Sequence, residues 1–125
     1  MNNSELQIRI IELFEELIVA NEEIPIIVEG KRDEAALRRL GVKGEIIRLN
    51  IGRPILDFCE DVARNYDEVI ILPDWDAKGA QLFNKLKRNF KYTNVKTVKK
   101  FWRDFKRFCS KDVHEVEYLT KYLSL

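Results

Sequence analysis

The sequence predicts an α/β domain of about four mostly parallel strands with helices on both faces, preceded by an amphipathic helix. Three observations carry that expectation. The β-branched runs Ile24–Val28 and Val69–Leu72 show no polar alternation, as strands buried on both faces do. Segments with apolar residues at helical spacing alternate with them, the pattern of strand-helix-strand units joined by right-handed crossovers. At 125 residues, 46% apolar and 34% charged, the chain has the size and composition for one such core.

Leu6, Ile10, Leu13, Phe14, Leu17 and Ile18 recur at helical spacing behind Ser4, a candidate N-cap, so the first twenty residues read as a helix with an acidic outer face. The first strand, Ile24–Val28, ends at Glu29-Gly30. A short helix over Asp33–Leu40 follows, closed by Gly41 where a left-handed C-cap is favoured. Glu45–Leu49 is the second strand. Pro54 suits a first helical position, and Ile55, Phe58, Cys59, Val62 and Tyr66 continue that helix. After the third strand, Val69–Leu72, come Pro73 and Asp74-Trp75-Asp76-Ala77-Lys78-Gly79. Leu82, Phe83, Leu86 and Phe90 mark the next helix, and Thr93–Val98 the fourth strand. Phe101, Trp102, Phe105, Phe108 and Cys109 share one helical face, read as core before any base-stacking role. Asp112-x-x-Glu115 resembles a capping box for a last short helix. The expected organisation is an N-terminal helix over 1–23, the α/β domain over 24–110 and a short C-terminal helix or tail over 111–125.

Net charge is +1, but the average hides a split. Residues 1–29 hold seven acids against Arg9 alone, whereas residues 78–111 hold twelve Lys or Arg against Asp104 alone. Such asymmetry points to a polyanionic partner for the C-terminal half, with phosphate the leading candidate. The longest apolar runs are a handful of residues, against the roughly 20 of a membrane span. The opening Met1–Glu5 has neither a basic nor an apolar leader region, so a cytoplasmic setting, no membrane partner and free thiols at Cys59 and Cys109 are expected. His114 is the single histidine and reads as structural, since with the two cysteines it offers at most three soft ligands from distant segments.

In parallel sheets, ligands sit at the carboxyl ends of the strands near the switch in strand order. Glu29 ends the first strand, and Asp74 and Asp76 follow the third. If those strands are neighbours, three carboxylates converge, and a cation would offset their repulsion. All-oxygen ligands completed by water and substrate phosphate suit Mg²⁺. Gly30 and Gly79 would leave room for phosphate to approach. Lys31, Arg53 and Lys78 lie in loops expected to open onto this site, with Lys99 and Lys100 on a wider basic surface.

A hydrophobic strand followed by Glu29-Gly30-Lys31-Arg32-Asp33, then a later strand followed by Asp74-Trp75-Asp76-Ala77-Lys78-Gly79, resembles the Toprim domain. That domain is shared by bacterial-type primases, type IA and type II topoisomerases, OLD-family nucleases and RecR-type recombination proteins. The similarity extends over about Ile24 to Val98 and is greatest to the small stand-alone Toprim proteins of archaea and some bacteria. It implies a Rossmann-like Toprim fold, Glu29 as general acid or base, and a Mg²⁺ (or Mn²⁺) site built from Glu29, Asp74 and Asp76. The implied function is metal-dependent phosphoryl transfer on DNA or RNA, as a nuclease or nucleotidyl-transfer unit in repair or RNA processing. The resemblance also implies protein partners in a repair or RNA-processing complex. The alternative is a noncatalytic nucleic-acid-binding module within a larger assembly. Strand passage is not expected, because none of Tyr66, Tyr92, Tyr118 or Tyr122 has a strand-gating scaffold around it. Nor is autonomous priming expected, since it needs a polymerase subdomain and usually a zinc-bearing template reader, neither of which is read in this sequence.

Overall fold

The computed structural model describes residues 2–49, 52–109 and Val116. Among them, helices α1 (Asn3–Ala20), α2 (Lys31–Arg39), α3 (Ile55–Ala63), α4 (Ala77–Tyr92) and α5 (Lys100–Cys109) alternate with strands β1 (Ile26–Val28), β2 (Ile46–Arg48), β3 (Glu68–Ile71) and β4 (Lys96–Val98). The strands form one all-parallel sheet in the order β2-β1-β3-β4, with Ile26 opposite Ile46 and Ile70, and Ile70 opposite Val98. The chain first steps from β1 to β2, then reverses to β3 and β4. Right-handed crossovers therefore send α2 to one face and α3 and α4 to the other. The helix pairings agree, α3 packing on α4 and α1 on α5. The reversal falls between β1 and β3, and their carboxyl ends are where sheets of this kind form a ligand-binding crevice.

Burial follows the apolar pattern. Ile26, Ile27, Val28, Ile70 and Ile71 are each no more than 1% exposed, as strands covered on both faces require. Leu13, Phe14 and Leu17 of α1 and Phe101, Trp102 and Phe105 of α5 close the core from outside the sheet. The aromatic stripe of α5 is thus core, with Trp102 stacked on Phe83 at 4.0 Å and Phe105 on Trp75 at 5.8 Å. Both cysteines are free and buried, and burial pushes their thiols up to about 12, which keeps them protonated and unreactive.

Several boundaries differ from those expected. Asn2, not Ser4, caps α1: its Oδ1 accepts from the Glu5 N–H at 2.8 Å. The second helix begins at Lys31 rather than Asp33, because Asp33 reaches back to the Gly30 N–H and fixes the first turn. Gly41 does adopt φ +105° beyond that helix. Pro54 precedes α3 as its N-cap with an extended ψ of 141°, and α3 ends before Tyr66. β1 starts after Pro25, which has no N–H for the ladder. β4 starts at Lys96 because Thr93 caps α4 and Asn94 turns the chain at φ 63°. The helix expected after Asp112 and the histidine His114 lie outside the described residues. No helix among the described residues is long and apolar enough to cross a membrane.

Candidate metal and phosphoryl-transfer site

Glu29 is the first residue past β1, and Asp74 lies three residues past β3, its hydrogen-bonded neighbour. Because parallel neighbours end on the same side, the two strands deliver their carboxylates to one crevice. The Asp74 N–H donates to Glu29 Oε2 at 2.8 Å, a contact across 45 residues of sequence. The Asp74 carboxylate is itself held, with Oδ1 accepting from the Val116 N–H at 2.9 Å. Trp102 Nε1–H donates to the Asp74 carbonyl at 3.1 Å, so α5 also fixes this loop. Asp76 is the N-cap of α4, and its Oδ1 accepts from the Gly79 N–H at 2.7 Å.

Burial is the main influence on Asp74, pushing its carboxyl up to about 8; the Val116 N–H pulls it down, while Asp33 and Glu29 add further upward pressure. Among the described residues no Lys or Arg lies within ion-pair distance of Glu29, Asp74 or Asp76. The donor chemistry therefore fits a hard divalent cation: carboxylate oxygens, mutually repelling and partly desolvated. The three do not close into a preformed cage, since no cluster of three acidic, His or Cys side chains among the described residues is set to hold an ion. Glu29 and Asp74 adjoin, whereas Asp76 is turned to the start of α4. Such an open arrangement suits Mg²⁺, which keeps waters and recruits substrate oxygens.

The remaining predicted residues separate. Lys31 and Lys78 are exposed in the first turns of α2 and α4, the helices that follow β1 and β3. Arg53 instead forms an ion pair with Asp61, whose carboxyl it holds below the usual range. Lys100 pairs with Glu16 of α1, an exposed ion pair that joins the basic and acidic halves of the chain at the surface. Lys99 stays clear of that pair. Gly30 has an open flank, the nearest atom to a Cβ there being Asp33 Oδ2 at 4.0 Å. Gly79 does not: a Cβ would fall 1.7 Å from the Asp74 carbonyl oxygen, so its missing side chain admits that backbone rather than a phosphate. Gly79→Ala should therefore displace the Asp74 loop and cost about 1–3 kcal/mol, read as a lowered melting temperature. A melting temperature equal to the parent's would show that the loop yields freely.

Sequence reasoning misses Asp33 at this site. It is 8% exposed, caps the start of α2 and contributes to the field at Asp74. The Gly30-x-x-Asp33 spacing of a capping box was its available signal. Trp102 and Val116 had none, since their contacts to Asp74 span 28 and 42 residues.

A parallel sheet whose strand order reverses beside an acidic crevice, with Glu-Gly after one central strand and Asp-x-Asp after the other, defines a Toprim-type domain. The Toprim domain family model matches residues 24–108, and the chain belongs to that family. It is 44% identical over 83% of its length to a UPF0292 protein of Thermococcus onnurineus, of which the match covers 78%. A UPF0292 protein of Methanocaldococcus jannaschii is 32% identical over 99% of this chain and 97% of its own. Among solved structures, a putative protein from Aquifex aeolicus superposes with a TM-score of 0.73 at 26% identity, covering 85% of this chain and 94% of that one.

Proposed function

We propose that this chain is a divalent-metal-dependent phosphoryl-transfer protein acting on DNA or RNA, of nuclease or nucleotidyl-transfer type. Membership of the Toprim family supports a metal-dependent, nucleic-acid-related function. The observation that carries the finer reading is the Glu29–Asp74 contact at the switch crevice, with the Asp74 charge destabilised by its surroundings. Glu29, Asp74 and Asp76 would hold Mg²⁺ or Mn²⁺, which when bound polarises a phosphoryl oxygen and neutralises developing charge. Glu29 would move a proton at the reacting oxygen, a role supported by the Asp74 N–H that orients its carboxylate. Lys31 and Lys78 lie in first turns beside the crevice, where helix N-termini also favour anions.

Metal binding has a readout independent of turnover. Mg²⁺ at about 100 times its Kd should stabilise the fold by about 2.7 kcal/mol, seen as a rise in melting temperature. Asp74→Asn with Asp76→Asn preserves shape and acceptor oxygens yet should abolish the rise. An undiminished rise in the double variant would place the ion elsewhere. Activity itself is tested by a cleavage screen over single-stranded, duplex and structured DNA and RNA with Mg²⁺ or Mn²⁺. Strand binding without turnover on any substrate would replace the catalytic reading with that of a binding module; the DNA and RNA arms separate repair from RNA processing.

A further inference from the structure

A second charged feature lies away from the acidic crevice. Between the second half of α4 and the edge strand β4 runs a groove of about 560 Å³, bounded by Lys87, Arg88, Lys91, Lys96 and Lys99 above a floor that includes Val95. No acidic residue lines it. None of its five cations is in an ion pair among the described residues. Lys87 alone has an aromatic contact, at 6.0 Å from the Phe83 ring centre. The neighbouring cations differ: Lys100 is spent on Glu16, Lys106 lies over Trp102 and Arg107 over Phe108. The one acid in register is Glu68, opposite Lys96 on the inner strand β3.

Placement gives the groove a direction. Lys87 and Lys91 are one helical turn apart, about 6 Å along α4, and Lys96 to Lys99 spans about 10 Å of extended chain. Lys99 follows Val98 at the carboxyl end of β4, on the same sheet edge as Glu29 and Asp74 and next to β3. One end of the groove therefore points toward the crevice. Lysines on an edge strand also block sheet extension, but that role needs none of the cations of α4. No aromatic ring lines the groove, so bases have nothing there to stack on.

We propose that the α4–β4 groove is a phosphate track that holds the sugar-phosphate backbone of one nucleic-acid strand, without regard to sequence, and leads it to the acidic crevice. This rests on the function proposed above. It adds the route by which substrate enters, and within the basic half it makes these five residues the main source of strand affinity away from the crevice.

The test is metal-free, so it is separable from catalysis. Binding of fluorescent dT₁₅ and rU₁₅ is followed by anisotropy between 50 and 200 mM salt. Lys91→Ala with Lys96→Ala should weaken both probes alike and flatten the log K against log salt slope by about 1.4, at about 0.7 per phosphate contact on single strands. Lys91→Arg with Lys96→Arg should restore binding. Arg39→Ala with Lys43→Ala, exposed cations outside the groove, should leave the slope within about 0.3 of the parent. A fifteen-base-pair duplex probe reports whether the track takes a free strand or one strand of a helix. Strand binding that responds equally to the two alanine pairs, or to neither, overturns the track while leaving the metal site and its chemistry standing. Absence of any strand binding at 50 mM salt, together with an empty cleavage screen, overturns both.

Discussion

Glu29→Gln is expected to reduce metal-dependent turnover by 10²- to 10⁴-fold while leaving the fold intact. At about 1.36 kcal/mol per tenfold, that is about 2.7–5.4 kcal/mol of lost transition-state stabilisation. The asymmetry between activity and stability has a local cause. Glu29 is tied to the rest of the molecule by accepting the Asp74 N–H at Oε2, and a glutamine carbonyl oxygen accepts the same bond. What glutamine cannot do is exchange a proton at the reacting oxygen. Thermal melting of the variant should match the parent without metal, and single-turnover cleavage should carry the whole deficit. Activity untouched by the substitution would assign the chemistry to another group.

Phe105→Ala should produce the largest stability loss, about 3–5 kcal/mol, from a total that for domains of this kind is about 5–15 kcal/mol. Phe105 is 0% exposed and lies nearly parallel to Trp75, with ring planes 15° apart. Trp75 stands between Asp74 and Asp76, so the cavity would loosen the loop that carries both carboxylates. Urea unfolding should show a lower midpoint with an unchanged slope, and the Mg²⁺-induced rise in melting temperature should shrink as well. Phe105→Leu, which refills part of the space, should lose less of both. A cost below about 1 kcal/mol for the alanine variant would show that the site collapses readily around the missing ring.

Much of the architecture was legible in the chain because its signals are local. Ile26, Ile27 and Val28 form an apolar run too short for a helix and too uniform for a half-exposed strand, so a parallel sheet covered on both faces follows from sequence. The stripe of Phe101, Trp102, Phe105 and Cys109 gives a helix face whose burial follows from its period. Element ends were less legible, because capping turns on which side chain reaches a given N–H. Asn2 and Ser4 are both competent N-caps, and only the hydrogen bond to Glu5 decides between them.

Residue order alone places acidic residues after two buried strands and concentrates the basic charge in the second half. Only the assembled sheet made those two strands, the first and the third, neighbours across the reversal in strand order, and so brought Glu29 to Asp74 over 45 residues. It also sorted the cations, committing Arg53 to Asp61 and Lys100 to Glu16 while leaving the α4–β4 groove with five cations and no acidic residue in its lining. Gly79 changed meaning in the same way, from open space for a ligand to the seat of the Asp74 carbonyl. One cause underlies all three. Periodicity and burial are written into neighbouring residues, whereas pairing, desolvation and close backbone approach depend on which distant segments share a place, and strand order and crossover handedness set that.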